Sequence, residues 1–137
     1  MCLSYVYQGK KKKEALAKLK DVITVWKVLV IPDEEHPNWK TDIYCYPVHA
    51  GVVKFRQNII NSDGFGSLEP KYKGGGHLFL TKAGAVDWHD GDKYCKIVQC
   101  KVEKKDINNI GERDGFPIVV VKKATFPKYL GRKSHVY

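Results

Sequence analysis

Three apolar runs rich in β-branched residues constrain this chain more than anything else in it. Asp21 through Ile31 reads as a strand, because Val22, Ile23, Val25, Val28, Val30 and Ile31 suit a pleated, extended backbone. Apolar residues fall on both of its faces, as in an interior strand. Pro32 ends it, and the stretch from Pro32 to Trp39 reads as a loop. From Cys95 to Glu103 the pattern becomes alternation: Val98, Cys100 and Val102 point one way, while Gln99, Lys101 and Glu103 point the other, as in a half-buried strand. Ile118-Val119-Val120-Val121 is apolar on both faces and is expected to lie centrally, after a tight turn at Asp114-Gly115.

Shorter segments fit around these runs. Ile43-Tyr44-Cys45-Tyr46 and Val52-Val53-Lys54-Phe55 are strand candidates separated by Pro47 and Gly51, and Asn61 to Ser67 is a turn-rich loop. His77 to Thr81 reads as a short strand, with Thr81 capping a helical turn over Ala83 to Trp88 before the turn at Asp90-Gly91-Asp92. Residues 10–20 place Leu16 and Leu19 on one helical face with alanines beside them. A helix that short is marginal alone and must dock on something. The expectation is an α+β fold: a single compact domain over residues 1–137, mostly an antiparallel twisted sheet, with one or two short helices. A chain of this length buries roughly two-thirds of its unfolded surface. It shows no internal repeat and no linker.

Composition bounds the rest. A hydrophobic fraction of 43% and an aromatic fraction of 12% fit a globular rather than a disordered chain. No apolar run approaches the ~20 residues that span a bilayer. Met1-Cys2-Leu3-Ser4-Tyr5 lacks the order of a signal peptide. A cytoplasmic protein with no membrane partner is expected; its oligomeric state is not legible. Cys2, Cys45, Cys95 and Cys100 allow two disulfides by count. A domain of this size needs no staples, and Cys95 and Cys100 fall on opposite faces of a strand. Four reduced thiols are therefore expected.

Lysine and arginine number 24 against 15 acids, a formal net charge of +9. Such a field attracts phosphate-rich partners and speeds their encounter. Lys10 to Lys13, Lys18 and Lys20 crowd the N-terminal segment, while Lys122, Lys123, Lys128, Arg132, Lys133 and His135 gather near the end. Lys54, Arg56, Lys71 and Lys73 flank the run Gly74-Gly75-Gly76-His77. Glycines let a backbone approach a ligand closely, so this run is the candidate place where backbone amides face a phosphate, helped by Lys71 and Lys73. A plain hairpin turn is the alternative. His77 shares a strand face with Phe79 and Thr81 and would bond a phosphate or stack on a base; the alternative is a half-buried structural histidine. The candidate ligand-binding set is Lys54, Arg56, Lys71, Tyr72, Lys73, Gly74, Gly75, Gly76 and His77.

Several chemistries lack their residues. The glycine run has no Gly-Lys-Ser/Thr ending and precedes a strand, so it is neither a P-loop nor a dinucleotide fingerprint. Zinc-type ligand spacing is missing, and His89, Asp90 and Asp92 do not form a calcium loop. Cys45 and His49 have no third orienting group. No catalytic residue, metal or cofactor is assigned. Tyr44, Tyr46, Phe55, Tyr72, Phe79 and Tyr94 lie near lysine or arginine in sequence, an arrangement on which bases stack; the alternative is that they fill the core. Trp26, Phe116 and Phe126 are expected in the core. The RNA-recognition strand signature is absent and no helix-turn-helix is visible.

The segment order resembles a loose group of small phage and bacterial proteins. The resemblance rests on the N-terminal Met-Cys-Leu, Val25-Trp26-Lys27-Val28-Leu29, the Gly-Gly-x-His-x-Phe-type strand at 75–79, Val98-Gln99-Cys100-Lys101-Val102 and Val119 to Thr125. It implies a compact domain of phage origin and assigns no catalytic residue. More remotely, the layout is similar to ADP-ribosyltransferase-like folds, which pair an early strand bearing Arg or His with a later catalytic glutamate. Here the early strand offers Lys27, and Glu103 and Glu112 are the only glutamates in the second half.

The leading expectation is a non-enzymatic binding protein for an anionic nucleotide-type ligand, either a small nucleotide signal, as a phage counter-defence protein would capture, or a nucleic-acid backbone. The alternatives are an ADP-ribosyltransferase-like enzyme, which needs Glu103 or Glu112 in the cleft of Gly74 to His77, and a basic inhibitor docking an acidic host protein.

Overall fold

The computed structural model describes residues 3–42, 46–61 and 71–130. In chain order the elements are β1 (Tyr5–Val6), α1 (Gly9–Ala17), β2 (Val22–Val30), β3 (Trp39–Thr41), β4 (Pro47–Val48), β5 (Gly51–Lys54), β6 (Ile59–Asn61) and β7 (Lys71–Lys73). They continue with β8 (Gly76–Phe79), α2 (Lys82–His89), β9 (Cys95–Glu103), β10 (Ile107–Arg113), β11 (Phe116–Val121) and β12 (Lys123–Phe126). Among the described residues strands dominate, every pairing is antiparallel, and two short α-helices and two single 3-10 turns accompany them.

The β-branched runs are the centre of the sheet. β2 and β9 pair along their whole lengths, from Val22 opposite Glu103 to Val30 opposite Cys95. Around them the sheet runs β1-β10-β11-β8-β2-β9-β12-β5, with β3 pairing with the end of β2 at Leu29 and Val30, β4 pairing with β3, and β6-β7 forming a separate ribbon. β11 passes through Lys122 straight into β12, so one stretch of chain pairs with β8 and β10 before the join and with β9 and β5 after it.

Both faces are apolar, as the sequence of β2 demands. One layer holds Val25, Leu29, Val98, Cys100, Val119 and Phe126, and α1 docks on it through Ala15 and Leu16, with Leu19 just beyond the helix. The opposite layer holds Leu3, Val28, Phe79, Ile118 and Val120 against Ala85 and Trp88 of α2. Fully burying each such side chain is worth about 1.5–3 kcal/mol. Lys27 breaks the pattern. It shares the face of Val25 and Leu29, is 6% exposed, and its Nζ donates to the His77 carbonyl at 2.8 Å. Burial pushes its pKa below the ordinary lysine value, only partly opposed by Asp42.

The elements differ from their sequence reading in instructive places. Thr81 does cap α2, accepting from Gly84 N at 3.2 Å, and the Asp114-Gly115 turn takes positive φ at both residues (52° and 82°). Phe126 is buried, whereas Trp26 and Phe116 are half-buried at the margin of the α2 layer. β1, β3, β4, β6, β7 and β10 are additional strands. Most of the strand candidate at 43–46 and the loop residues 62–67 lie outside the described residues, as do Cys2 and Cys45. Cys95 and Cys100 are free and fall in opposite layers. Among the described residues no helix is long and apolar enough to cross a membrane.

Candidate anion-binding groove

A basic concavity lies where the start of α1 meets β7 and β10. Gln8 is extended and its side chain makes no capping bond to the first-turn N–H groups of α1. Lys10, Lys11, Lys12 and Lys13 follow, with no acid in the first turn. That order opposes the helix macrodipole, which favours negative charge at this end.

Asparagines hold the helix in place. Lys12 Nζ donates to the Asn108 carbonyl at 3.1 Å and to Asn109 Oδ1 at 3.0 Å. Asn109 Nδ2 donates onward to the Lys73 carbonyl at 3.0 Å, and Asn108 Nδ2 to the Gly74 carbonyl at 2.9 Å and Gln57 Oε1 at 3.0 Å. α1, β10 and β7 thereby enclose a groove of about 440 Å³. Among the described residues its polar side chains are Gln8, Lys12, Lys71, Lys73, Asn108 and Asn109, with the rings of Tyr7 and Tyr72 alongside and no acid.

An aromatic rim adjoins the groove. Tyr5 and Tyr7 meet edge-on at 5.7 Å, and Lys11 Nζ stands 4.7 and 4.4 Å from their ring centroids. The Tyr7 hydroxyl donates to the Glu112 carboxylate; burial and then that carboxylate push its pKa up to about 12. Tyr7 therefore stays a neutral donor at any ordinary pH.

The glycine run has a different use. Gly74 N–H donates to the Asn58 carbonyl at 2.6 Å. A Cβ on Gly75 would stand 2.2 Å from the Val121 carbonyl oxygen, and one on Gly76 2.5 Å from the Phe55 ring. Glycine is required here so that β8 and its approach can press against β11 and Phe55. His77 lies behind the groove at 4% exposure. The Tyr72 hydroxyl is 2.8 Å from His77 Nε2 and also accepts from Leu3 N–H at 3.0 Å, while His77 Nδ1 is 3.2 Å from the Gly75 carbonyl. A carbonyl only accepts, so Nδ1 carries the proton and Nε2 accepts from Tyr72. Burial first, then the nearby Lys27, pushes the imidazole pKa down to about 3. The ring is neutral and both nitrogens are engaged.

Of the nine sequence candidates, the groove therefore brings together Lys71, Tyr72 and Lys73. Gly74, Gly76 and His77 are buried and Gly75 half-buried, while Lys54 and Arg56 are exposed beyond the groove. The residues that sequence reasoning passed over are Gln8, Lys12, Asn108 and Asn109. The adjacent asparagines between Ile107 and Ile110 were the available signal, because strand-poor amides in a strand demand partners.

Other candidate chemistries are dispersed. Glu103 is exposed and paired with Lys105 at 3.2 Å, and Glu112 is held by Tyr7; neither lines the groove. His89 Nε2 lies 2.8 Å from the Cys95 carbonyl, and Cys95 has its pKa raised to about 11 by burial and then Asp92. Among the described residues no three His, Cys, Asp or Glu side chains are grouped to hold a metal ion. No family model, curated protein or solved structure matches the chain.

Proposed function

We propose that this protein is a non-enzymatic binder of a nucleotide-type anion, whose phosphates occupy the groove between α1, β7 and β10. The observation that carries this reading is a helix start without a side-chain cap from Gln8, whose Lys12 lines one groove with Lys71 and Lys73 and with no acid among the described lining residues. A phosphate there would accept from first-turn N–H groups and neutralise lysines that otherwise repel one another. The net charge of +9 supports capture of such a ligand at a distance. Tyr5, 43% exposed beside the groove, offers a ring on which a base stacks. Two ligands share this chemistry: a small nucleotide signal, captured as a counter-defence protein would, or one unit of a nucleic-acid backbone.

The enzyme alternative would need an acid in the groove, a place that neither Glu103 nor Glu112 takes. The test is calorimetric titration with ADP and with pyrophosphate. Both are expected to bind, and replacing Lys71 and Lys73 together by alanine is expected to weaken each at least about tenfold, ~1.4 kcal/mol. Absence of binding, or binding indifferent to that double substitution, overturns the reading.

A further inference from the structure

The groove is one end of a longer basic track. Asn108 bonds both the Gly74 carbonyl and Gln57, which puts Arg56 and Gln57 beside the end of β7. Phe55 N–H then donates to the Lys122 carbonyl at 2.8 Å, joining that segment to the bend between β11 and β12. One residue further along, Lys54 and Lys123 stand directly opposite each other on β5 and β12. Side chains so paired share a sheet face about 5 Å apart at Cβ, and like charges there are destabilising. None of Lys54, Arg56, Lys71, Lys73, Lys122 and Lys123 is in an ion pair with an acid among the described residues. Lys54, Arg56 and Lys122 are exposed.

Building on the groove's phosphate-binding reading, we infer that the partner is a single-stranded nucleic acid. Its backbone leaves the groove at Lys71 and Lys73 and follows Arg56 and Lys122 to the Lys54–Lys123 pair. A mononucleotide filling 440 Å³ leaves that pair uncompensated, whereas a chain of phosphates at regular intervals supplies counter-charge at both ends. The exposed Tyr5 ring provides sequence-tolerant stacking at the groove end. An acidic polypeptide would use the lysines but not the ring.

The experiment measures ADP, thymidine oligonucleotides of about 4 and about 15 nucleotides, and poly-glutamate against the full chain over a range of salt concentrations. The longer oligonucleotide is expected to bind at least about tenfold tighter than the shorter. Replacing Lys54 and Lys123 by alanine is expected to remove that advantage and to flatten the salt slope by about 1 to 1.5. ADP binding should be unchanged in this variant. If ADP binds but both oligonucleotides bind equally, the track is overturned and the groove stands. If neither ADP nor oligonucleotide binds, both fall. Poly-glutamate binding as tightly as the longer oligonucleotide overturns the nucleic-acid assignment in favour of an acidic protein. Far-UV circular dichroism of the variant confirms that it is folded.

Discussion

A histidine beside three glycines in a basic chain invites a ligand, yet the bonds at its ring leave no nitrogen free. His77 Nε2 faces the Tyr72 hydroxyl, Nδ1 faces the Gly75 carbonyl, and buried Lys27 sits on its own carbonyl. The consequence is a pH dependence of known sign. Folding pulls the imidazole pKa from 6.5 to about 3, so between those values the unfolded chain takes up the proton more readily. The contribution of this ring to stability is complete above pH 6.5 and falls by about 1.4 kcal/mol per pH unit from there down to about 3. Urea unfolding at pH 7 and pH 5 should differ by about 2 kcal/mol more in the wild type than in His77→Gln. Equal differences would show that the ring titrates normally. Gly75 makes a second prediction at this scale. With Val121 backbone oxygen 2.2 Å from where a Cβ would sit, Gly75→Ala should cost at least ~2 kcal/mol in the same assay.

The two helices are held by opposite means, and each supplies a test. α2 has local signals: Thr81 caps Gly84, and Asp90 closes the other end in a left-handed conformation with φ 48°. Thr81→Ala should destabilise by about 1 kcal/mol, read from thermal unfolding. α1 has none of these, and its anchors are Ala15, Leu16 and the two bonds of Lys12 to β10. Lys12→Met should lower stability by about 2 kcal/mol, with faster amide exchange confined to α1. This contrast also explains what the sequence made legible. β2, β9 and β11 carry their own periodicity, so they are readable within a residue or two, as is the Thr81 cap. β10 is not, because Asn108, Asn109 and Gly111 disfavour strands in isolation. They serve neighbours instead: the amides bind β7, and a Cβ on Gly111 would stand 2.1 Å from the Tyr5 carbonyl oxygen. Half of the groove was invisible for the same reason. Lys71 and Lys73 advertise themselves by charge, but Lys12 joins them only through a fold that brings residues about a hundred positions apart together.

At the scale of the molecule, a net charge of +9 makes the compact state repel itself. Raising sodium chloride should therefore increase the melting temperature modestly by screening. Pyrophosphate at matched ionic strength should raise it further, by an amount corresponding to about 2.7 kcal/mol at a hundred times its dissociation constant. The excess should disappear when Lys71 and Lys73 are replaced by alanine. Equal effects of the two salts would mean that charge is screened everywhere and captured nowhere.

The central ladder has a consequence in time. β2 is apolar on both faces, yet its full-length partner β9 begins 65 residues later, at Cys95 opposite Val30. At about 5–20 residues per second, a ribosome needs on the order of three to thirteen seconds to deliver it. During that interval β2 has only the short partners β3 and β8 available, at Leu29, Val30 and Trp26. The spacing of its two best strands therefore delays the central ladder until synthesis has passed Glu103.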